Sequence, residues 1–128
     1  MPDDMVRLCA SCHAGLSPEQ PVTRNRDLCL ANKIFTYLLA GRPVVLTDTT
    51  AHRALAADLG DAAFVYRPGD VSALAAGLSR WIEDPKVAER ARRAAWAAAC
   101  RRWHWEHPLD RGALVDSILR TVGAVAVA

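Results

Sequence analysis

Between residues 41 and 50 the chain reads Gly41-Arg42-Pro43-Val44-Val45-Leu46-Thr47-Asp48-Thr49-Thr50, and this stretch constrains the fold more than any other. A glycine just past a helix can take the left-handed conformation that closes the last turn, and a proline two residues on prevents the helix from resuming. Val44, Val45 and Leu46 are apolar without alternation, as in a parallel strand covered on both faces. Asp48, Thr49 or Thr50 can then cap a following helix. Helix, buried strand, helix is the order of a parallel α/β sheet.

The rest of the chain extends that order to β-α-β-α-β-α-α-α. A helical turn or two at residues 3–11 leads to a strand at 13–16. Residues 17–27 carry Pro18, Pro21, Asn25, Asp27 and two arginines, which predicts an irregular loop. Asn32 then opens a helix in which Ile34, Phe35, Tyr37, Leu38 and Leu39 surround most of the axis, so more than one side is buried. A helix at 51–59 ends at Gly60, and a third strand follows at 62–66. Asp70 caps a helix whose apolar face is Val71, Leu74, Ala75, Leu78, Trp81 and Ile82. Asp84-Pro85 starts another, to about residue 103, with Trp96, Ala99, Cys100 and Trp103 on one stripe. A last helix is expected at 108–122. No repeat or linker divides residues 1–128, which are read as one domain.

Composition narrows the function classes. With 128 residues the chain is too short for a complete two-domain enzyme. Sixteen basic residues against 14 acidic ones give a net charge of +2, too balanced for a nucleic-acid partner to be read from charge. The longest apolar stretch, at 122–128, is far short of the roughly 20 residues a membrane span requires, so no transmembrane segment is expected. The acidic N-terminus lacks the basic start of a secretory signal, which makes the cytoplasm the expected location. In that compartment Cys9, Cys12, Cys29 and Cys100 are expected to be free thiols.

Ligands of open parallel sheets bind beyond the C-terminal ends of the strands, so the loops at 17–31, 47–50 and 67–70 matter most. The first is long and polar and runs straight into Asn32-Lys33. A helix start supplies unpaired N–H groups and a dipole that favours an anion, and the Lys33 ammonium adds a full charge. A phosphate or diphosphate is the natural candidate. The plainer reading is that Asn32 only caps the helix and Lys33 is solvated.

The run NRDLCLANKIFTYLLAGRPVV at 25–45 resembles the donor-binding half of group 1 glycosyltransferases with the GT-B architecture. Gly15-Leu16-Ser17, Asp48, Asp70 and Trp105-Glu106 are similar to that family as well. The resemblance implies a Rossmann-like three-layer α/β unit with a short parallel sheet of about three strands and C-terminal helices, a partial GT-B donor domain without its acceptor domain. It implies a glycosyltransferase fragment that binds a nucleotide-sugar as donor substrate, with no further cofactor and no metal, for transfer to an unknown acceptor. The donor-binding residues expected are Glu19, Asn32, Lys33 and Thr36, with no catalytic residue assigned. Family members often carry two glutamates; Glu19 is the loop's candidate for the first, and Thr36 stands at the second, five residues before Gly41. A threonine accepts a ribose hydroxyl singly and without charge assistance. His13 stands where an acid is common. The missing half of such an enzyme, or a second copy of the chain, is the partner implied, and the alternative is a non-catalytic Rossmann-like module that binds a partner chain.

Four other patterns have plainer readings. Cys9-x-x-Cys12-His13 matches c-type haem attachment, but no export signal precedes it and no methionine follows it, so no covalent haem is expected. Cys9, Cys12, Cys29 and His13 lack a second Cys-x-x-Cys pair, so zinc is not expected either. Arg90, Arg92, Arg93, Arg101 and Arg102 lie close to Glu83, Asp84 and Glu89, which reads as a solvated helix face. Trp103-His104-Trp105-Glu106-His107 reads as the end of a helix docking on the core.

Overall fold

The computed structural model describes residues 2–103, and the helix expected at 108–122 and the segment His104-Trp105-Glu106-His107 lie outside them. Three parallel strands, β1 (Gly15–Ser17), β2 (Val44–Thr47) and β3 (Ala63–Tyr66), form one sheet in the order β1-β2-β3. Gly15 stands opposite Val44, and Val44 opposite Ala63, so the strands start level. The helices are α1 (Pro2–Ala10), α2 (Arg24–Leu28), α3 (Asn32–Leu39), α4 (Thr50–Leu59), α5 (Val71–Glu83) and α6 (Pro85–Arg101). The fold is the α/β, partial Rossmann-like one expected.

Every residue of β2 is buried, as its continuous apolar run requires. Successive side chains of a strand point to opposite faces. Val44 and Leu46 accordingly pack with Ile34, Leu38, Leu55 and Leu59 of α3 and α4 on one face. Val45 joins Tyr66 and Trp81 on the other, where α5 lies. Gly41, at φ 64°, makes the helix-ending turn before Pro43 that the sequence calls for. Thr49 is the residue that caps α4, accepting from the His52 N–H at 3.1 Å. Asp70 and Asp84 cap α5 and α6 in the same manner.

Helix α6 packs against the turn Gly60–Ala62 ahead of β3, and its Arg92 and Trp96 lie beside Gly41 ahead of β2. It therefore closes the end of the sheet where the strands begin, leaving their C-terminal ends free of it. No helix among the described residues is long and apolar enough to cross a membrane.

Several expectations are corrected. β1 covers residues 15–17, not 13–16, and His13 is exposed in a bend outside it, because Gly15 is the residue that pairs with Val44. The loop before α3 holds a helix, α2, capped by the Thr23 hydroxyl on the Arg26 N–H at 3.2 Å. The N-cap of α3 is Ala31, without a side-chain bond, and Asn32 is its first helical residue. The buried stripe of α6 is Ala91, Ala95, Ala98 and Ala99, whereas Trp96 is 54% exposed. Only small side chains fit where α6 crosses this close, and the bulkier tryptophan faces out. On α5 only Trp81 is buried; Val71 and Ile82 are exposed at the two ends of the helix. Ile34 and Leu38 are fully buried, with the alanine seam of α6 lying over them.

Candidate functional site

At the C-terminal ends of β1 and β2 the sequence turns from apolar to polar, and the polar side chains stay buried. Ser17, Thr47, Thr49 and His52 are each at most 2% exposed. Buried polar groups require partners, and all but one ring nitrogen of His52 find them in one another, in backbone groups and in Glu19. The Thr47 hydroxyl donates to the Glu19 carbonyl, with the Ser17 carbonyl at 3.3 Å. The Ser17 hydroxyl donates to Glu19 Oε2. These bonds hold the chain leaving β1 against the end of β2.

Glu19 is thereby aimed at α3. Its Oε1 lies 2.6 Å from Lys33 Nζ, while its Oε2 lies 3.8 Å from His52 Nε2. Burial pushes the Glu19 carboxyl up, but hydrogen bonds from Lys33, Ser17 and its own backbone N–H, together with the Lys33 charge, outweigh it and hold the group below its ordinary value. His52 Nδ1 is 2.9 Å from the Thr47 carbonyl oxygen, which can only accept, so Nδ1 carries the proton of the neutral ring. Nε2 is buried and has no hydrogen-bond partner among the described residues.

Of the four expected site residues, the structure joins Glu19 and Lys33 directly. On α3 Thr36 stands one turn beyond Asn32 and Lys33, at spacings of four and three; Asn32 is exposed and Thr36 half-buried. Asn32 and Thr36 have no side-chain bond to Glu19 or Lys33 among the described residues. Beside the cluster, Asp48 pairs with Arg53, and Asp27 accepts from Thr50. Sequence reasoning missed His52, Ser17 and Thr47. His52 could have been found: it shares one face of α4 with Leu55 and Leu59, the buried face, at spacings of three and seven.

Among the described residues no group of three or more His, Cys, Asp or Glu side chains is placed to hold a metal ion. An apolar groove of about 290 Å³, lined by Leu28, Leu30, Ala54, Leu55 and Trp103 among others, follows α4 away from the cluster.

A parallel α/β unit whose polar cluster sits where its strands end, facing a helix start with a lysine, has the partial Rossmann-like architecture. The glycosyl transferase-like family model matches residues 1–111, and the chain belongs to that family. The GT-B, group 1 likeness of residues 25–45 is consistent with it. No curated protein and no solved structure gives a significant match.

Proposed function

We propose that the chain binds the diphosphate of a nucleotide-sugar at the mouth formed by Glu19, Asn32, Lys33 and Thr36, as the donor part of a glycosyltransferase. The single observation that carries this reading is the Lys33 ammonium at the start of α3. The N-cap there, Ala31, offers no side chain, so the first N–H groups of the helix have no side-chain acceptor. A phosphate could take those N–H groups and the ammonium together. Glu19 pairs with the ammonium at 2.6 Å, and a ligand would have to displace it.

Titration calorimetry with UDP, GDP and ADP on the protein and on Lys33→Ala tests the site. Weak binding of at least one nucleotide, lost or reduced in the variant, is the expected result. No binding at millimolar concentration, or identical binding by the variant, ends the assignment. The acceptor side is a further proposal: it is supplied by a separate half, the protein works in the cytoplasm, and this chain alone does not turn over donor in a hydrolysis assay.

A second reading rests on Thr36. Without a carboxylate there, the ribose loses a charge-assisted acceptor, which favours a non-catalytic module that uses the fold to bind a partner chain.

A further inference from the structure

His52 is the one feature of the cluster that the donor reading leaves without a task. Its Nε2 is fully enclosed and without a hydrogen-bond partner among the described residues, an arrangement that costs stability unless the nitrogen is used in another state. The other nitrogen is fixed by the Thr47 carbonyl, so any proton the ring gains arrives at Nε2. That atom lies 3.8 Å from Glu19 Oε2, within ion-pair distance once charged.

Glu19 has two basic neighbours, the Lys33 ammonium on one oxygen and the His52 imidazole on the other. A phosphate that draws Lys33 away would leave a partly buried carboxylate without its cation, which is costly. We propose that His52 is a positioning residue: when an anionic ligand takes Lys33, Nε2 takes a proton from water and holds Glu19 in place. Ligand binding is then coupled to proton uptake. The inference rests on the nucleotide reading of the Lys33 site.

The other groups facing His52 leave this exchange to Glu19 and Lys33. From β1 comes the Ser17 hydroxyl, which donates to Glu19, and from β2 comes Thr47. On α4 the Thr49 hydroxyl accepts the His52 N–H, and Asp48 and Arg53 pair with each other. Asp27, from α2, is held by Thr50.

The test follows the His52 ring by NMR through a pH titration of the whole chain. In Lys33→Ala the His52 midpoint should rise by about one pH unit, and in the isosteric Glu19→Gln it should fall, since a carboxylate at this range shifts a partner by about that much. Saturating UDP, GDP or ADP should raise it as Lys33→Ala does. Between pH 8 and pH 6 the affinity of the native chain should gain up to about tenfold over that of His52→Gln, because a proton is taken up. The comparison cancels the titration of the phosphate itself. A His52 midpoint unmoved in both Lys33→Ala and Glu19→Gln, with circular dichroism showing both folded, overturns the inference whatever the nucleotides do. Midpoints that move while no nucleotide binds overturn the donor site instead, and with it the role of His52 at a ligand.

Discussion

The Asp27 carboxylate reaches across 23 residues of chain to Thr50, accepting the backbone N–H at 2.8 Å and the hydroxyl at 2.7 Å. Thr50 is the first residue of α4, so a side chain from α2 supplements the cap that Thr49 provides. This tie fixes the long segment between β1 and α3 to the neighbouring helix, on the edge of the candidate site.

Asp27→Ala should therefore loosen residues 24–31 and leave the sheet intact. The expected result is faster amide exchange confined to that segment, with Asp27→Asn intermediate because one amide oxygen still accepts. The bonds from the Thr50 N–H and then its hydroxyl hold the Asp27 carboxyl below its ordinary value, against slight desolvation. A depressed carboxylate contributes above its unfolded pKa and stops contributing as pH falls through its folded one. In acid the native segment should come to exchange as Asp27→Ala does. Unchanged exchange in the variant would mean the tie restrains nothing.

Gly15 tests the packing of β1. A Cβ at this position would collide with Cγ of the Tyr37 ring, which no rotation of the ring about its axis can relieve. Gly15→Ala should cost about 1–3 kcal/mol in urea denaturation, the range for overpacking. Tyr37→Ala on the same background should recover part of that loss, since the two residues touch.

The alanine seam gives a third prediction. Ala95 and Ala99 are fully buried against Ile34, Leu38 and their neighbours, whereas Trp96 is largely exposed. Ala95→Leu should destabilise by about 1–3 kcal/mol and Trp96→Ala by about 0.5 kcal/mol or less. The reverse order in a denaturation series would restore the tryptophan stripe.

That seam also marks where the sequence stops being readable. The elements around Gly41, Pro43 and the run Val44-Val45-Leu46 were legible because turn chemistry and burial on two faces leave local signatures. Which face of α6 is buried depends on how closely it approaches α3, a tertiary distance that hydrophobicity does not encode; alanine and tryptophan both count as apolar. Helix α2 was hidden by a loop-like composition and is held by the Thr23 cap and by the two bonds that Asp27 accepts from Thr50. In the site, Glu19 and Lys33 stood out as charges beside a helix start. His52 did not, since its partners Thr47 and Glu19 lie on other elements.

Thr36→Glu addresses the donor site directly. Thr36 is one turn beyond Lys33 on α3, half-buried. A carboxylate there could accept a ribose hydroxyl with charge assistance, worth roughly 1.5–3 kcal/mol, so nucleoside diphosphate affinity should rise about tenfold or more. Calorimetry reads it. Weaker binding by a folded variant would place the ribose elsewhere.

The last prediction concerns the open side of the sheet. Among the described residues β1 pairs only with β2, and its Gly15 N–H is spent on the Pro43 carbonyl at 2.9 Å. Alternation along the strand then turns the Leu16 N–H and carbonyl away from β2, toward an edge without a neighbour. The Leu16 side chain is 43% exposed. An apolar edge with free backbone groups is a template for pairing, although three residues make a short one. The two effects oppose each other, and their balance sets the strength: association should be weak and concentration-dependent. Sedimentation velocity over a range of concentrations should show a growing larger species, and Leu16→Lys, which places a charge on the edge without touching the core, should abolish it. A monodisperse, cooperatively melting monomer at every concentration would show that the short edge protects itself and that the chain needs no second strand to complete its sheet.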